Sequence, residues 1–181
     1  MLKIGLCGAH GTGKTTLTKL IAPKYDLALI DRTMRNMWEG FGVSDFEKMP
    51  PELRGTFQKY AILNQIQRED TEGNNGFVSD RTVLDNFVHV IMDSKLSEID
   101  LALYEALVKE RIKTYTHFIY LPIEFDVENE YLRANIEKRG SFAKIAEGYL
   151  SKWFRKGDYI VLKGSVEERM GELEKVVKRL T

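Results

Sequence analysis

Apolar residues fall along this chain in short clusters separated by longer amphipathic stretches. Five clusters, residues 2–7, 27–30, 76–79, 117–121 and 159–162, predict strands. Runs of this length do not separate strand from buried helix by periodicity alone. Their regular alternation with helical stretches makes the distinction and predicts an α/β domain built on a parallel sheet. Helices are expected over 14–22, stopping before Pro23, and over 51–70, opening on prolines and ending before Gly73-Asn74-Asn75-Gly76. Further helices are expected over 83–92, 97–113 and 165–180. In the last, Val166, Met170, Leu173, Val177 and Leu180 recur at spacings of three and four, one buried stripe. Ser165 with Glu168 forms a capping-box pattern at its start. Residues 36–50 carry Trp38, Phe41 and Phe46 and read as a loop or short helix with apolar anchors. Residues 124–140 are strongly charged and read either as a solvated helix or as a mobile flap. On 97–113, the row Leu101, Leu103, Tyr104, Leu107 and Val108 is either core or a surface for a second copy of the chain.

Composition narrows the picture in three ways. A length of 181 residues supports one domain with a real core and is short for two. Lys+Arg and Asp+Glu both total 27, so the chain lacks the basic excess of a general nucleic-acid binder, although a local basic groove is compatible with that balance. Cys7 is the single cysteine, so no disulfide forms within the chain, which fits a reducing compartment. The first residues are too glycine-rich and too briefly apolar for a signal peptide. No apolar run approaches the ~20 residues that span a bilayer. A cytoplasmic protein without membrane contact is the expectation.

The sharpest chemistry lies at the first predicted strand–helix junction. Gly8-Ala9-His10-Gly11-Thr12-Gly13-Lys14-Thr15 matches the phosphate-loop pattern G-x-x-x-x-G-K-S/T, with a strand before it and a helix after it. Glycines let the backbone curl so that successive N–H groups face phosphate oxygens. The helix N-terminus adds partial positive charge. On this reading Lys14 reaches the β- and γ-phosphates of ATP, Thr15 ligates Mg²⁺, and Thr16 touches the α-phosphate. A chance match in a tight turn is the competing explanation. Cys7, just before the loop, reads as a small buried strand residue. A phosphate loop needs an acid from a neighbouring strand. Phe77-Val78-Ser79-Asp80-Arg81 supplies Asp80 at a predicted strand end, where ligands bind in open α/β sheets. Asp80 is expected to hold Mg²⁺ with Thr15, the alternative being a cap on the next helix. Arg81 is a candidate for contact with an anionic or hydroxylated substrate, and Asp85 stands where it pairs with Arg81 one helical turn away.

The phosphate loop, the Ser79-Asp80-Arg81 segment with Asp85, and the closing Lys163-Gly164-Ser165-Val166-Glu167-Glu168-Arg169 together resemble small AAA-domain-like P-loop kinases, including the ribosylnicotinamide kinase type. The wider likeness is to nucleoside and thymidylate kinases. It implies a three-layer P-loop NTPase fold with a five-stranded parallel sheet and a helical lid over about residues 124–145. It also implies ATP with Mg²⁺ as phosphoryl donor and a small acceptor, a nucleoside or nucleoside monophosphate. By the same likeness, Asp31 at the second strand's end takes the acceptor's proton, and Arg133 or Arg139 in the lid bridges the phosphates. A glutamine on the helix carrying Phe57-Gln58-Lys59-Tyr60 would read a base. Gln58 and Gln65 are seven residues apart, which puts them on one face of that helix. Arg32 and Arg35 are candidates for steadying a substrate phosphate, and Gly164-Ser165 would lie near the adenine. The Asp-Gly-x-Arg run expected of ribosylnicotinamide kinases is not found after the fourth strand. Three other readings are a kinase acting on a modified base in DNA, a P-loop ATPase or nucleotide switch without an acceptor, and a kinase for a sugar-like acceptor.

Overall fold

A computed structural model describes residues 1–31, 34–44, 48–93, 96–125, 136–155 and 157–180. Five parallel strands form one sheet in the order β2-β3-β1-β4-β5: β1 (Lys3–Cys7), β2 (Ala28–Ile30), β3 (Phe77–Ser79), β4 (His117–Tyr120) and β5 (Ile160–Val161). Seven helices are described: α1 (Lys14–Lys24), α2 (Met34–Gly40), α3 (Pro51–Thr71), α4 (Val83–Asp93), α5 (Glu98–Ile112), α6 (Ile136–Trp153) and α7 (Val166–Leu180). The predicted α/β layering, the strand count and the parallel sheet are all present.

Strand residues alternate between two cores, which makes the three layers. Ile4, Leu6, Val78, Ile119 and Leu121 pack with Leu17 and Ile21 of α1 and Leu173 and Val177 of α7. Cys7, Phe77, Phe118 and Tyr120 pack on the other face with residues of α3, α4, α5 and α6. A strand covered on both faces cannot alternate apolar with polar, and these runs are accordingly continuous in apolar character. Among the described residues, no helix is long and apolar enough to cross a membrane.

Two helix predictions change. α1 runs through Pro23 to Lys24 rather than stopping at Ala22. Proline breaks a helix through the carbonyl four residues back, and that carbonyl belongs to Lys19 on an exposed face in the last turns. α6 covers residues that the sequence pattern left unassigned beyond 140. Its buried positions, Arg139, Phe142, Ala143, Ala146 and Leu150, do follow helical spacing, but an arginine heads the stripe and masks it. Of residues 36–50, read as a loop or short helix, 36–40 belong to α2 and 45–47 lie outside the described residues; the Ser165–Glu168 capping box is made on both sides: the Ser165 N–H donates to Glu168 (2.7 Å) and the Glu168 N–H to the Ser165 hydroxyl (3.2 Å).

Beneath the sheet edge lies a buried polar network. The Glu69 carboxylate accepts from the Tyr115 hydroxyl (2.6 Å), the Gln65 amide (2.7 Å) and Arg111 (3.1 Å). Gln65 also donates to the Ser79 hydroxyl (2.7 Å), which itself donates to the Arg81 carbonyl. Burial pushes the Glu69 carboxyl above its ordinary range, while these donors and Arg111 oppose the shift. Tyr115→Phe removes one donor and leaves the other two. The expected loss is about 1–2 kcal/mol of unfolding free energy, read as a lowered urea midpoint at unchanged slope. An unchanged midpoint would show that the hydroxyl does not support the network.

Candidate functional site

The central strand β1 ends in the glycine-rich loop. Gly8 has φ 153°, and a Cβ there would meet the Leu121 carbonyl oxygen at 2.5 Å, so only glycine fits where the loop passes β4. Gly13, at φ 91°, turns the chain into α1. The loop's carbonyls have donors. Ala9 accepts from the Thr12 hydroxyl (2.9 Å) and from Lys14 Nζ (2.8 Å), and Lys14 also donates to the Gly8 carbonyl. Residues His10 through Thr16, with Asp80 and Arg81, line a cavity of about 210 Å³ at the α1 N-terminus. Lys14 is buried there. Desolvation lowers the pKa of its ammonium, and the nearby Asp85 and Asp80 carboxylates oppose the shift. Cys7 is fully buried, and burial raises its thiol well above the ordinary value, so it is an inert strand residue.

Asp80 stands one strand over, at the end of β3. Its Oδ2 accepts from the Thr15 hydroxyl at 2.7 Å, which joins the two residues expected to share a metal. Its Oδ1 is buried and has no hydrogen-bond partner among the described residues. Burial raises the pKa of its carboxyl; the Thr15 hydroxyl and the Lys14 charge pull it down. Asp80 is not the cap of α4. That role falls to Thr82 and Asp85, whose Oδ2 accepts from the Thr82 N–H (2.9 Å) and hydroxyl (2.7 Å), a capping-box arrangement.

Asp85 therefore does not form the expected hydrogen-bonded pair with Arg81. Its other oxygen, Oδ1, accepts from the Gly8 N–H at 3.1 Å, 77 residues away in sequence. One buried carboxylate thus ties the start of the glycine loop to the start of α4. Arg81 reaches His10 instead, with Nη2 at 3.1 Å from the His10 Nε2.

Two arginines hold the loop from outside. Arg139 Nε donates to the His10 carbonyl (2.7 Å), and its Nη atoms lie 3.1 Å from the Phe125 carbonyl oxygen. Arg169 Nη1 donates to the Thr12 carbonyl (2.6 Å), and Nη2 pairs with Glu124 (2.8 Å). The Arg169 guanidinium also lies over the Phe125 ring at 5.4 Å. Glu124 accepts in addition from the Gly164 N–H (3.0 Å), so the Gly164-Ser165 turn, the segment after β4 and the glycine loop form one braced unit. Sequence reasoning singled out Arg139, quoted Arg169 without a role and missed Glu124. Arg133 lies outside the described residues.

On the far side, Ile30 and Ser79 are register partners, so Asp31 and Asp80 follow on adjacent strands at the same sheet edge. Asp31 is exposed and 3.4 Å from Arg68, whose other Nη donates to the Asp31 carbonyl (2.7 Å). Gln58 is buried, and its carbonyl oxygen has no partner among the described residues. The neighbouring Phe57 packs edge-on against Phe41 at 5.4 Å, and Tyr60 lies 6.1 Å from Phe41. Gln65 separates from Gln58 in role, since its amide is committed to Glu69 and Ser79. Arg32 lies outside the described residues, as does the Arg35 side chain.

Asp85→Ala leaves the Gly8 N–H and both Thr82 donors without an acceptor. The expected cost is about 3 kcal/mol of stability together with weaker binding of any triphosphate, measured by chemical denaturation and by titration with a fluorescent nucleotide. Wild-type affinity in the folded variant would refute a role for Asp85 in setting the loop.

A model of the AAA domain family matches residues 3–169. No curated protein matches the chain by sequence. Solved structures do match in fold. Deoxyadenosine kinase from M. mycoides, with products dCMP and a flexible dCDP bound, gives a TM-score of 0.65 at 17% identity, covering 99% of this chain and 100% of that one. NadR protein in complex with NR gives 0.64 at 21% identity, covering 89% of this chain and 43% of that one. YorR protein from Bacillus subtilis, in complex with phosphorylated GDP, gives 0.55 at 15% identity over 97% and 95%. At these identities the structural likeness speaks for the fold. The family match extends from β1 into α7 and includes the whole glycine loop, so the chain belongs to the AAA domain family, with a P-loop nucleotide-binding fold.

Proposed function

We propose that the protein transfers the γ-phosphoryl group of ATP to a nucleoside or nucleoside monophosphate, with the whole chain acting as one domain and residues of about 124–145 serving as its lid. The observation that carries this reading is the pair of acids on adjacent strands, Asp80 bound to the P-loop Thr15 and Asp31 next to it and exposed. Hydrolysis alone needs the first. A second carboxylate beside the cradle suits an acceptor hydroxyl whose proton must leave as the new bond forms. The unpartnered Gln58 carbonyl beside the Phe41, Phe57 and Tyr60 rings suits a planar ring with a donor edge. The deoxyadenosine kinase and NadR structures, which carry nucleotide or NR ligands, lend this acceptor class support.

The residues divide the work by their chemistry. Backbone N–H groups from Ala9 to Thr16 cradle the phosphates, Gly8 shapes the loop with its own N–H held by Asp85, and Lys14 exchanges the Gly8 and Ala9 carbonyls for phosphate oxygens. Asp31 accepts the acceptor's proton. Arg81, with Arg32 beside Asp31, holds the acceptor's anionic or hydroxyl groups, and His10 completes the pocket wall. Arg133 or Arg139 supplies cationic charge where negative charge develops on the phosphoryl group in flight. A divalent cation fits the donor set: Thr15 and Asp80 are hard oxygen donors, and Asp80 Oδ1 is buried without a partner. Among the described residues, no group of three or more His, Cys, Asp or Glu side chains is placed to hold a metal ion. Thr15 and Asp80 would hold Mg²⁺ there, and the ion would supply positive charge against that of the phosphates.

ATP consumption against a panel of nucleosides and nucleoside monophosphates, with a control lacking acceptor, tests the reading. Strong stimulation by one acceptor is the expected result; equal hydrolysis without acceptor would overturn it in favour of an ATPase. Lys14→Ala is expected to lower turnover at least about 100-fold, and a near-normal rate would remove Lys14 from the phosphate site. Asp80→Asn is expected to raise the magnesium concentration for half-maximal rate about tenfold or more. A magnesium titration that overlays the wild type would reassign Asp80 to structure.

A further inference from the structure

We infer that His10 is a positioning residue for Arg81: its imidazole Nε2 holds the guanidinium at the wall of the P-loop cavity, ready for the oxygens of the acceptor. This role rests on the acceptor contact proposed for Arg81 above. Arg81 is buried and lines that cavity with His10, Lys14 and Asp80. A guanidinium carries five N–H donors. Among the described residues its side chain has one hydrogen-bond acceptor, the His10 Nε2 at 3.1 Å, 71 residues away in sequence. The neighbouring carboxylates do not take it. Asp85 is committed to Gly8 and Thr82, and Asp80 Oδ2 to Thr15.

The backbone is held at both ends of this contact. The His10 carbonyl accepts from Arg139 Nε at 2.7 Å, and the Gly8 and Ala9 carbonyls just before it accept from Lys14. The Arg81 carbonyl accepts from the Ser79 hydroxyl and from the Gln65 amide (3.2 Å). The His10–Arg81 hydrogen bond therefore joins two fixed points. Its chemistry sets the state of the ring. A guanidinium only donates and stays charged, so Nε2 presents a lone pair and the ring proton sits on Nδ1. A neutral acceptor orients a guanidinium without cancelling its charge, whereas a carboxylate in the same place would offset it. Arg81 keeps its positive charge for the negative charge that develops during transfer. Through its carbonyl, the same loop residue also meets Arg139, so Arg81 after β3 and Arg139 of α6 share one anchor.

Two measurements test the role. In ¹⁵N NMR of the unliganded protein at about pH 8, where an ordinary imidazole is neutral, His10 should carry its proton on Nδ1. The His10 signals are identified by their loss in His10→Gln, and Arg81→Ala should shift the Nε2 resonance. A proton on Nε2 would overturn the proposal whatever the enzyme's activity. In kinetics, His10→Ala should lower kcat/KM for the acceptor about tenfold or more. Its affinity for a fluorescent ATP analogue should stay within about twofold of wild type. His10→Gln, which offers a neutral acceptor oxygen, should recover most of the loss; His10→Phe, which fills the space without an acceptor, should not. Unchanged acceptor kinetics in His10→Ala, or a His10→Gln variant no better than His10→Phe, would overturn the role. Failure of the acceptor reading itself looks different: no acceptor then stimulates even the wild type, while the His10 tautomer still reports whether the pair exists.

Discussion

Everything at the sheet's ligand edge depends on one buried carboxylate. Asp85 takes the Gly8 N–H with one oxygen and the Thr82 N–H and hydroxyl with the other, so the phosphate loop and the first turn of α4 share an anchor. Lys14 and Arg81 are both buried near this charge, and each would be costly to desolvate without it. The anchor also fixes what sits between the two junctions. Ser79, Asp80 and Arg81 leave β3 just before Thr82, so the residue that begins α4 and the acid that meets Thr15 are positioned by the same turn.

A phosphate-binding loop must point N–H groups inward, so its carbonyls need donors elsewhere. Here those donors come from four directions. Lys14 serves Gly8 and Ala9, Thr12 serves Ala9, Arg139 serves His10, and Arg169 serves Thr12. The Leu17 N–H takes the Gly13 carbonyl as α1 begins. Two of these donors come from α6 and α7, near the chain's end, and both reach the segment after β4 as well, Arg139 at the Phe125 carbonyl and Arg169 at Glu124. The loop's shape is thereby a property of the whole fold, and movement of the 122–125 segment would be felt at His10 and Thr12.

This explains what the sequence could and could not disclose. The glycine loop was legible because its spacing is local and its physics is backbone physics. Asp80 was legible because an apolar run ending in an acid marks a strand's ligand edge. The strands were readable because burial on both faces leaves continuous apolar runs. Asp85, Glu124 and Arg169 were not readable as site supports, because their partners are between 40 and 157 residues away and no local spacing encodes that. Gln65 could not be told from Gln58 by spacing, for the related reason that its acceptors, Ser79 and Glu69, are buried polar groups on two different elements. α6 escaped because Arg139, its first buried residue, looks like surface until the His10 carbonyl is seen beneath it.

The two edge acids show how neighbouring positions acquire different chemistry. Both end strands of the same register, yet Asp80 is buried among cations and hydroxyls while Asp31 is exposed, with Arg68 at long reach. A carboxylate locked at 2.7 Å on Thr15 cannot rotate to follow a departing proton without breaking that bond. An exposed one can. If phosphoryl transfer is the reaction, the fixed acid suits the phosphate side and the free acid suits the acceptor. The same asymmetry argues against exchanging the roles, because the Asp80 Oδ2 is committed to the Thr15 hydroxyl while Asp31 lies open to solvent. The difference between the two acids is one of burial and of the Thr15 hydrogen bond, set by which strand lies next to β1.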